Sequence, residues 1–162
     1  MDTDDLALAP IKESLAATSL FAELNDEQLN RLARIGEIRT FRRKDVIFKE
    51  GDEGSHFYVV IEGAVRVSRT VAGIGEEAFA LLRRGASFGE MSVFDDCTRS
   101  ADAIAHEKCE LFEVEKEDLK QLFAHNRLLA CSVLEKMVRL LSQRLRESND
   151  KLTMLSVCAK FE

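Results

Sequence analysis

Hydrophobic residues recur with different spacings in the N-terminal, central and C-terminal parts of the chain. Within residues 10–35 they lie three to four positions apart, which is the spacing of one face of an α-helix. Asn25 is a typical N-cap residue before the second part of this run, so the pattern predicts two short helices joined around Thr18–Phe21. Residues 1–9 are predicted to be frayed. We therefore expect an N-terminal helical segment over residues 1–36.

From residue 37 to residue 115 the spacing changes to two, as in β-strands with alternating faces. Short apolar runs alternate with turn sequences, and Glu62-Gly63 lies between two runs as a tight hairpin turn does. The runs are Val46–Phe48, Phe57–Ile61, Val65–Val67, Ala78–Leu82, Ala101–Ala105 and Cys109–Val114. Short strands at regular intervals predict a mainly β fold with flanking helices, in which an antiparallel β-barrel or jelly roll forms the centre.

Helical spacing returns in residues 116–162. One short helix is predicted over 115–124, and a long helix over about 126–160, because no Gly or Pro interrupts it. Its apolar positions alternate in steps of four and three, with Ser148 as a polar exception; this heptad pattern predicts a two-stranded coiled coil and hence a homodimer. These seam positions are Cys131, Leu134, Val138, Leu141, Leu145, Ser148, Leu152, Leu155 and Ala159. A second stripe, expected to pack on the barrel, consists of Leu129, Val133, Met137 and Leu140. The alternative to a dimer is a helix that packs only along its own barrel.

Composition and charge narrow the possible functions. The 162 residues include 23 Lys and Arg against 29 Asp and Glu, a net charge of −6, so direct nucleic-acid binding is not expected. The four cysteines are scattered without metal-site spacing. No basic, apolar leader and no apolar run of membrane-spanning length is present in the sequence. We therefore expect a cytoplasmic protein with reduced thiols and no membrane span.

Residues 85–101 contain the chemistry-bearing motif. Gly89 allows the backbone to approach a ligand closely, and the helical turn predicted over Glu90–Phe94 presents free N–H groups to an anion. Arg99 adds a planar guanidinium that suits phosphate oxygens. A carboxylate at Glu90 would repel a phosphate unless it had another task, such as accepting a hydrogen bond from a sugar hydroxyl. The combination predicts a nucleotide whose phosphate is tied close to its ribose.

The segments Phe88-Gly89-Glu90, Met91-Ser92-Val93 and Arg99-Ser100-Ala101 resemble the phosphate-binding cassette of the cyclic-nucleotide-binding domain family. That family includes the bacterial catabolite activator and the regulatory subunits of protein kinase A. The resemblance implies that Glu90 binds the ribose 2′-hydroxyl and that Arg99 binds the cyclic phosphate. It also implies that Gly89, the amides after it and Ser100 complete the phosphate cradle. Family members line the pocket at the positions of Val67, Phe79 and Leu82.

The long helix contains a segment, Gln143–Lys151, that is similar to the helix that closes over the purine in catabolite-activator relatives. This similarity implies that Ser148 and Asn149 contact the base, from the same subunit or from its partner. Arg144 lies one turn before Ser148 on the same helix face and is expected to reach Glu90. The alternative is a surface arginine and a polar seam residue that sets the coiled-coil register. The predicted ligand-binding residues are thus Val67, Leu82, Phe88, Gly89, Glu90, Met91, Ser92, Arg99, Ser100, Ala101, Arg144, Ser148 and Asn149.

The predicted function is a sensor or regulatory module that binds a cyclic nucleotide and couples binding to movement of the C-terminal helix. The expected ligand is cyclic AMP; cyclic GMP is the second possibility, because the Ser100 hydroxyl could serve a guanine edge. No catalytic or cofactor motif was found, including the His-x-His pair of a metal-dependent cupin, so we expect neither an enzyme nor a bound metal. The downstream protein partner is unknown. The alternative is the ligand-binding portion of a catabolite-activator-type transcription regulator without its helix-turn-helix domain.

Overall fold

The β-strands lie between two N-terminal and two C-terminal helices, and a short helix follows the sixth strand. The computed structural model describes residues 3–158, with side chains described at residues 8–154, 156 and 157. The helices are α1 (Thr3–Ala16), α2 (Asp26–Arg34), α3 (Glu90–Phe94), α4 (Lys116–His125) and α5 (Arg127–Cys158). The strands are β1 (Gly36–Phe41), β2 (Val46–Phe48), β3 (His56–Glu62), β4 (Ala64–Val71), β5 (Gly75–Arg83), β6 (Ser87–Phe88), β7 (Asp102–Ala105) and β8 (Cys109–Glu115).

The strands form two antiparallel sheets of four strands each, in the orders β1-β8-β3-β6 and β2-β7-β4-β5. This confirms the mainly β class with flanking helices and a long C-terminal helix. The two sheets face each other as a jelly-roll-like sandwich and do not close into the predicted barrel. Closing a barrel requires hydrogen bonds between the edge strands of the two sheets. The edge strands β6 and β2 are only two and three residues long, so they offer few backbone groups for such pairing.

The two central strands of the first sheet, β3 and β8, are buried on both faces, and β3 shows how the alternation of side chains achieves this. Phe57 and Val59 point towards the helices and are at most 1% exposed. Tyr58 and Val60 point the other way and pack against residues of the second sheet, such as Val65. The period-two pattern therefore serves two cores, one between the sheets and one between the first sheet and the helices.

The two N-terminal helices form as predicted, but the first of them begins earlier in the sequence than expected. Asn25 caps α2 as predicted, and its side chain accepts a hydrogen bond from the Gln28 amide at 2.9 Å in a complete capping box. The prediction that residues 1–9 are frayed is wrong for 3–9, because α1 begins at Thr3; residues 1 and 2 lie outside the described part. Leu8 and later apolar residues of α1 pack on the helical core, and this packing gives the helix a buried face.

Helix α5 has one buried stripe and one exposed stripe. Leu129, Val133 and Met137 are at most 3% exposed and pack on the core, as predicted for the second stripe, whereas Leu140, its fourth residue, is only half-buried. Most described residues of the predicted seam face solvent in the single chain, with Val138 and Leu145 each 62% exposed. Leu141 is the seam residue that packs against the core instead. The seam side chains of Leu155 and Ala159 lie outside the described residues, and the coiled coil stays a prediction.

None of the described helices combines the length and the apolar composition that a bilayer-spanning helix needs.

Candidate functional site

The cassette is built around a glycine in a left-handed conformation. Gly89 follows β6 and caps α3 with φ of 79°, a value that other residues adopt only with strain. A Cβ at this position would lie 2.8 Å from Nη1 of Arg99 and 3.1 Å from the His56 carbonyl oxygen. Glycine is therefore required both by the backbone angle and by the close approach of the arginine.

Arg99 is buried beneath the cassette, with only 4% of its surface exposed. Its Nη1 donates hydrogen bonds to the Gly89 carbonyl at 2.9 Å and to Ser92 Oγ at 2.8 Å, and its Nη2 donates to the His56 carbonyl at 2.6 Å. The Phe48 ring stacks on the guanidinium at 4.1 Å. Residues of the cassette, β3 and β2 together fix the orientation of the arginine side chain.

The partners of Arg99 leave part of its hydrogen-bonding capacity unused. Its three side-chain hydrogen bonds occupy three of the five N–H donors of a guanidinium, and Nε is buried with no partner among the residues that the structure describes. All three acceptors are neutral oxygens, so the positive charge is not cancelled by a directly bound carboxylate. Burial lowers the pKa of Arg99, while Tyr58, Glu90 and Asp52 act in the opposite direction. A buried cation with free donors is suited to receive an anion.

Glu90 is also buried, at 4% exposure, and it is bound by the long helix. Nη1 of Arg144 donates to Glu90 Oε1 at 2.7 Å, and Nη2 of the same side chain donates to the Ser87 carbonyl at 2.6 Å. The prediction that Arg144 reaches Glu90 is therefore confirmed. The fork of the arginine fastens α5 to both the cassette carboxylate and the strand that precedes it.

The cassette, β5 and α5 enclose a cavity of about 700 Å³, a size typical of small-molecule sites. Of the residues predicted to bind ligand, those that line it are Val67, Leu82, Phe88, Gly89, Glu90, Met91, Ser92, Arg99, Ser100, Ala101, Arg144 and Ser148. Phe79 lines it as well. Asn149 is not among the lining residues; its carbonyl accepts a hydrogen bond from Thr153 Oγ1 at 3.0 Å, and its base-contact role stays a prediction.

Residues 38–126, more than half of the chain, match the family described as the cyclic nucleotide-binding domain. The chain belongs to this family.

Proteins named as a receptor and as a kinase are similar to this chain. It is 36% identical over 142 residues to the cyclic AMP receptor protein of Thermus thermophilus, covering 88% of this chain and 64% of that protein. It is 33% identical over 138 residues to the cGMP-dependent protein kinase of Eimeria tenella, covering 80% of this chain and 13% of the kinase. The chain thus spans less than two thirds of the length of either relative. A crystal structure of a cyclic nucleotide-binding domain from Methylobacillus flagellatus KT has a TM-score of 0.79 and 28% identity, covering 92% of this chain and 84% of that one.

Several residues that line the cavity of this cyclic nucleotide-binding domain were not predicted. They are Phe48, Glu77, Ala78, Ala80, Leu81, Glu147 and Lys151. The two on α5 could have been found from helical spacing, because Glu147 lies three residues after Arg144 and Lys151 three after Ser148. Phe48 carries no such local signal, since its place beside Arg99 depends on how β2 packs against β3. The exposure of nearly the whole of β5 is likewise a tertiary feature.

Three ion pairs outside the cavity, formed at two places, hold the cassette in position. Arg69 on β4 pairs with Glu50 at 2.7 Å and donates to the Ser100 carbonyl at 3.0 Å, which fixes the C-terminal end of the cassette. Asp96 in the cassette loop pairs with Lys116 and with Lys120 of α4, the latter at 3.2 Å. The hydrogen bond from Lys116 is the main reason that the pKa of Asp96 is lowered, followed by that from Lys120.

An aromatic contact adds to the connection between the cassette and α4. The rings of Phe94, at the end of α3, and Phe123, in α4, are stacked with centroids 6.2 Å apart and an interplanar angle of 18°. Because α4 leads directly into α5, this contact and the Arg144–Glu90 pair both connect the cassette to the long helix.

Proposed function

We propose that the protein is a cytoplasmic sensor that binds a cyclic nucleotide and signals through the position of α5. The proposed ligand is cyclic AMP. The observation that carries this proposal is that Arg99 lines a cavity of about 700 Å³ and is a buried guanidinium whose Nε has no hydrogen-bond partner in the described part of the chain. A buried charge without a counterion is unfavourable, so a bound anion would stabilise this arrangement. We assign the site a binding role and not a catalytic one.

The arrangement of the cavity suggests how the ligand is held. The cyclic phosphate would lie against Arg99 and the amides that follow Gly89, with the Ser100 hydroxyl beside them. Glu90 would accept a hydrogen bond from the ribose 2′-hydroxyl, which is a task that a buried carboxylate can perform next to a phosphate. Val67 and Leu82 would provide apolar contacts, while Ser148 of α5 would lie at the base.

Coupling to α5 would follow from the contacts that join the helix to the cassette. Arg144 holds Glu90 directly, and Asp96 connects the cassette loop to α4 through Lys116 and Lys120. A ligand that binds more tightly when these contacts are formed would shift α5 towards the docked position. In this proposal a downstream protein, or a second copy of the chain paired along the exposed stripe of α5, reads that position.

Titration calorimetry with cyclic AMP tests the proposal. Arg99→Ala removes the charge-assisted hydrogen bonds to the phosphate and should weaken binding by about 1.5–3 kcal/mol, roughly tenfold or more. Arg146→Ala is the matched control, because Arg146 is an exposed arginine that does not line the cavity. Equal affinities of the wild type and Arg99→Ala, or no binding by the wild type, would contradict the proposal.

The choice of cyclic AMP over cyclic GMP is part of the proposal. The relatives include a cyclic AMP receptor protein and a cGMP-dependent protein kinase, and the sequence identity to the former is higher. Competition of the two nucleotides for the wild-type protein measures the preference directly. Tighter binding of cyclic GMP would show that the preferred base is guanine and not adenine, but it would not contradict the proposed role of Arg99.

A second candidate function is the ligand-binding portion of a catabolite-activator-type transcription regulator. It is favoured by the 36% identity to the Thermus thermophilus receptor protein, of which the chain covers 64%. A gel-shift assay with duplex DNA, with and without cyclic AMP, distinguishes the candidates when it is combined with inspection of the gene beyond codon 162. A helix-turn-helix in the same reading frame would favour the regulator.

A further inference from the structure

Three aromatic rings pack together beside Arg99. The rings of Tyr58 and Phe88 are stacked with centroids 5.0 Å apart, and the centroid of the Phe48 ring lies 5.9 Å from that of Tyr58 and 6.0 Å from that of Phe88. Tyr58 and Phe88 are at most 5% exposed and belong to the core between the sheets. Phe48, on β2, packs against these two buried rings and also lines the cavity. The cluster therefore fixes the Phe48 ring at the cavity wall.

Phe48 is the ring of this cluster that lies closest to the arginine. Cζ of Arg99 lies 4.1 Å from the Phe48 centroid and 5.8 Å from the Tyr58 centroid. A guanidinium over the face of a ring is attracted by the negative potential of that face, and the attraction is stronger where water is excluded. Arg99 forms no ion pair with a carboxylate of the described residues, and its three hydrogen-bond acceptors are neutral oxygens. The ring is thus a close electrostatic partner that carries no net charge.

The hydrogen bonds of Arg99 determine which of its donors stay available. Both N–H groups of Nη1 are used, by the Gly89 carbonyl and by Ser92 Oγ, and one N–H group of Nη2 is used by the His56 carbonyl. The two donors without a partner among the described residues therefore belong to Nε and Nη2. The Phe48 ring contacts the central carbon between these nitrogens, so it holds the guanidinium without occupying either donor.

We propose that Phe48 is a positioning residue for anion binding, which acts through Arg99 by a cation–π interaction. The inference rests on the proposed function, in which Arg99 binds the cyclic phosphate, and adds the group that prepares the arginine for it. A carboxylate in place of the ring would accept hydrogen bonds from the free donors and would compete with the phosphate for them. The ring compensates the buried charge and leaves the donors free. A guanidinium that is already held in place also loses less freedom when the ligand binds.

The experiment varies the charge on the ring face while keeping the ring. Phe48 is replaced in the full chain by phenylalanines that carry one, two or three ring fluorines, and the dissociation constant of cyclic AMP is measured by calorimetry. Each fluorine withdraws electron density from the ring face, but the ring keeps nearly the same shape and apolar surface. The same series at Phe41 is the matched control. Its centroid lies 5.1 Å from Cζ of another arginine, Arg39, and Phe41 does not line the cavity.

We expect the affinity for cyclic AMP to fall stepwise with the number of fluorines at Phe48, by roughly fivefold when three are present. The Phe41 series should stay within about twofold of the wild type, because Arg39 is remote from the cavity. Apolar contact between the Phe48 ring and the ligand would give no such stepwise loss, and a flat series would therefore overturn the inference while wild-type binding still supported the proposed function. Failure of the wild type to bind would refute both.

A double-mutant cycle tests whether the ring acts through the arginine. Phe48→Leu should weaken cyclic AMP binding roughly fivefold in the wild type, but by less than about twofold in the Arg99→Ala background, where no guanidinium remains to be held. Equal losses in both backgrounds would show that Phe48 contacts the ligand directly, which contradicts a positioning role. If Phe48→Leu reduces the folded fraction, the nearly isosteric fluorinated variants still decide the question.

Discussion

Arg144 and Glu90, 54 positions apart in the sequence, form a hydrogen-bonded ion pair of 2.7 Å that joins the long C-terminal helix to the cassette. The Glu90 side chain is 5% exposed and that of Arg144 is 32% exposed, so the pair lies at the boundary between the cavity and solvent. The same arginine binds the Ser87 carbonyl. The residue proposed to hold the ribose is therefore also the residue that holds the helix.

Loss of Arg144 should reduce stability as well as ligand binding. Arg144→Ala leaves the buried Glu90 carboxylate without its partner, and we expect the free energy of unfolding to fall by about 1–3 kcal/mol. The lower part of this range is favoured because Arg144 is one-third exposed. Urea denaturation of the ligand-free protein measures the change.

A double-mutant cycle separates the pair from other effects of the arginine. Glu90→Gln removes the charge, so Arg144→Ala should cost less in that background, by about 1 kcal/mol. Arg146→Ala, at an exposed position without a cavity contact, should stay within about 0.5 kcal/mol of the wild type. Additive effects of the two substitutions would show that the pair contributes nothing to the docking of α5.

Gly89→Ala adds only one methyl group, but it should reduce both the stability of the protein and its affinity for ligand. The substitution forces an alanine to φ of 79° and places its Cβ 2.8 Å from Nη1 of Arg99. Gly51→Ala is the matched control, with φ of 86° but no heavy atom within 4 Å of the new Cβ. Both should lose about 1–2 kcal/mol of stability from the positive φ.

The two glycine variants should differ in the additional loss and in binding. Gly89→Ala should lose about 1 kcal/mol more than Gly51→Ala and should weaken cyclic AMP binding about tenfold or more, because the arginine must move. Thermal denaturation and calorimetry measure the two effects. Similar binding by both variants would indicate that Arg99 adapts to the added methyl group without losing its ligand.

Of the three cysteines whose side chains the structure describes, two should react readily with a thiol reagent and one should be protected. Cys97 and Cys131 are exposed, whereas Cys109 is 1% exposed and its pKa is raised to about 11, first by burial and then by Asp45 and Glu107. Because the thiolate is the reactive form, iodoacetamide at pH 8 should modify Cys97 and Cys131 and leave Cys109 protected until the protein unfolds. Peptide mass spectrometry identifies the modified positions; early modification of Cys109 would contradict its burial.

The raised pKa of Cys109 also predicts the direction of a pH effect. The thiol of the unfolded chain ionises near its ordinary value of about 8.5, whereas the folded state retains the proton up to about pH 11. Above the unfolded value the unfolded state binds fewer protons, so stability should fall as the pH rises from about 8.5 towards 11. Other groups titrate in this range, so the test is the difference between the wild type and Cys109→Ala, which should lose stability less steeply.

The two stripes of α5 should respond to substitution in opposite ways. Leu145→Gln and Leu152→Gln alter side chains that are 62% and 59% exposed, so the stability of the monomer should change by less than about 0.5 kcal/mol. If these residues form the proposed dimer seam, light scattering should show a shift from dimer to monomer. Met137→Ala, at 3% exposure, should instead lose about 2–5 kcal/mol of stability. A wild-type monomer at all concentrations would rule out the homodimer.

The cassette could be predicted from the sequence because the residues that define it lie close together along the chain. Gly89, Glu90 and Arg99 lie within eleven consecutive residues, and their types alone indicate a close backbone approach, a sugar acceptor and a phosphate donor. The alternation of apolar residues likewise predicted six of the eight strands that the structure describes, all but β1 and β6, and the three-to-four spacing predicted helices, since both periods are properties of the backbone itself. The capping box at Asn25 is a further local feature that the sequence determined.

Only the tertiary structure decided which distant residues complete the site. The separation of the strands into two sheets, the stacking of Phe48 on Arg99 and the contact of Lys151 with Phe79 join segments that no periodicity relates. Such contacts depend on how whole elements pack, because a pattern within one element fixes which face is buried but not what lies against it. The sequence thus predicted the ligand-binding chemistry of the cassette, and the packing of β5 and α5 determined the cavity that the cassette residues line.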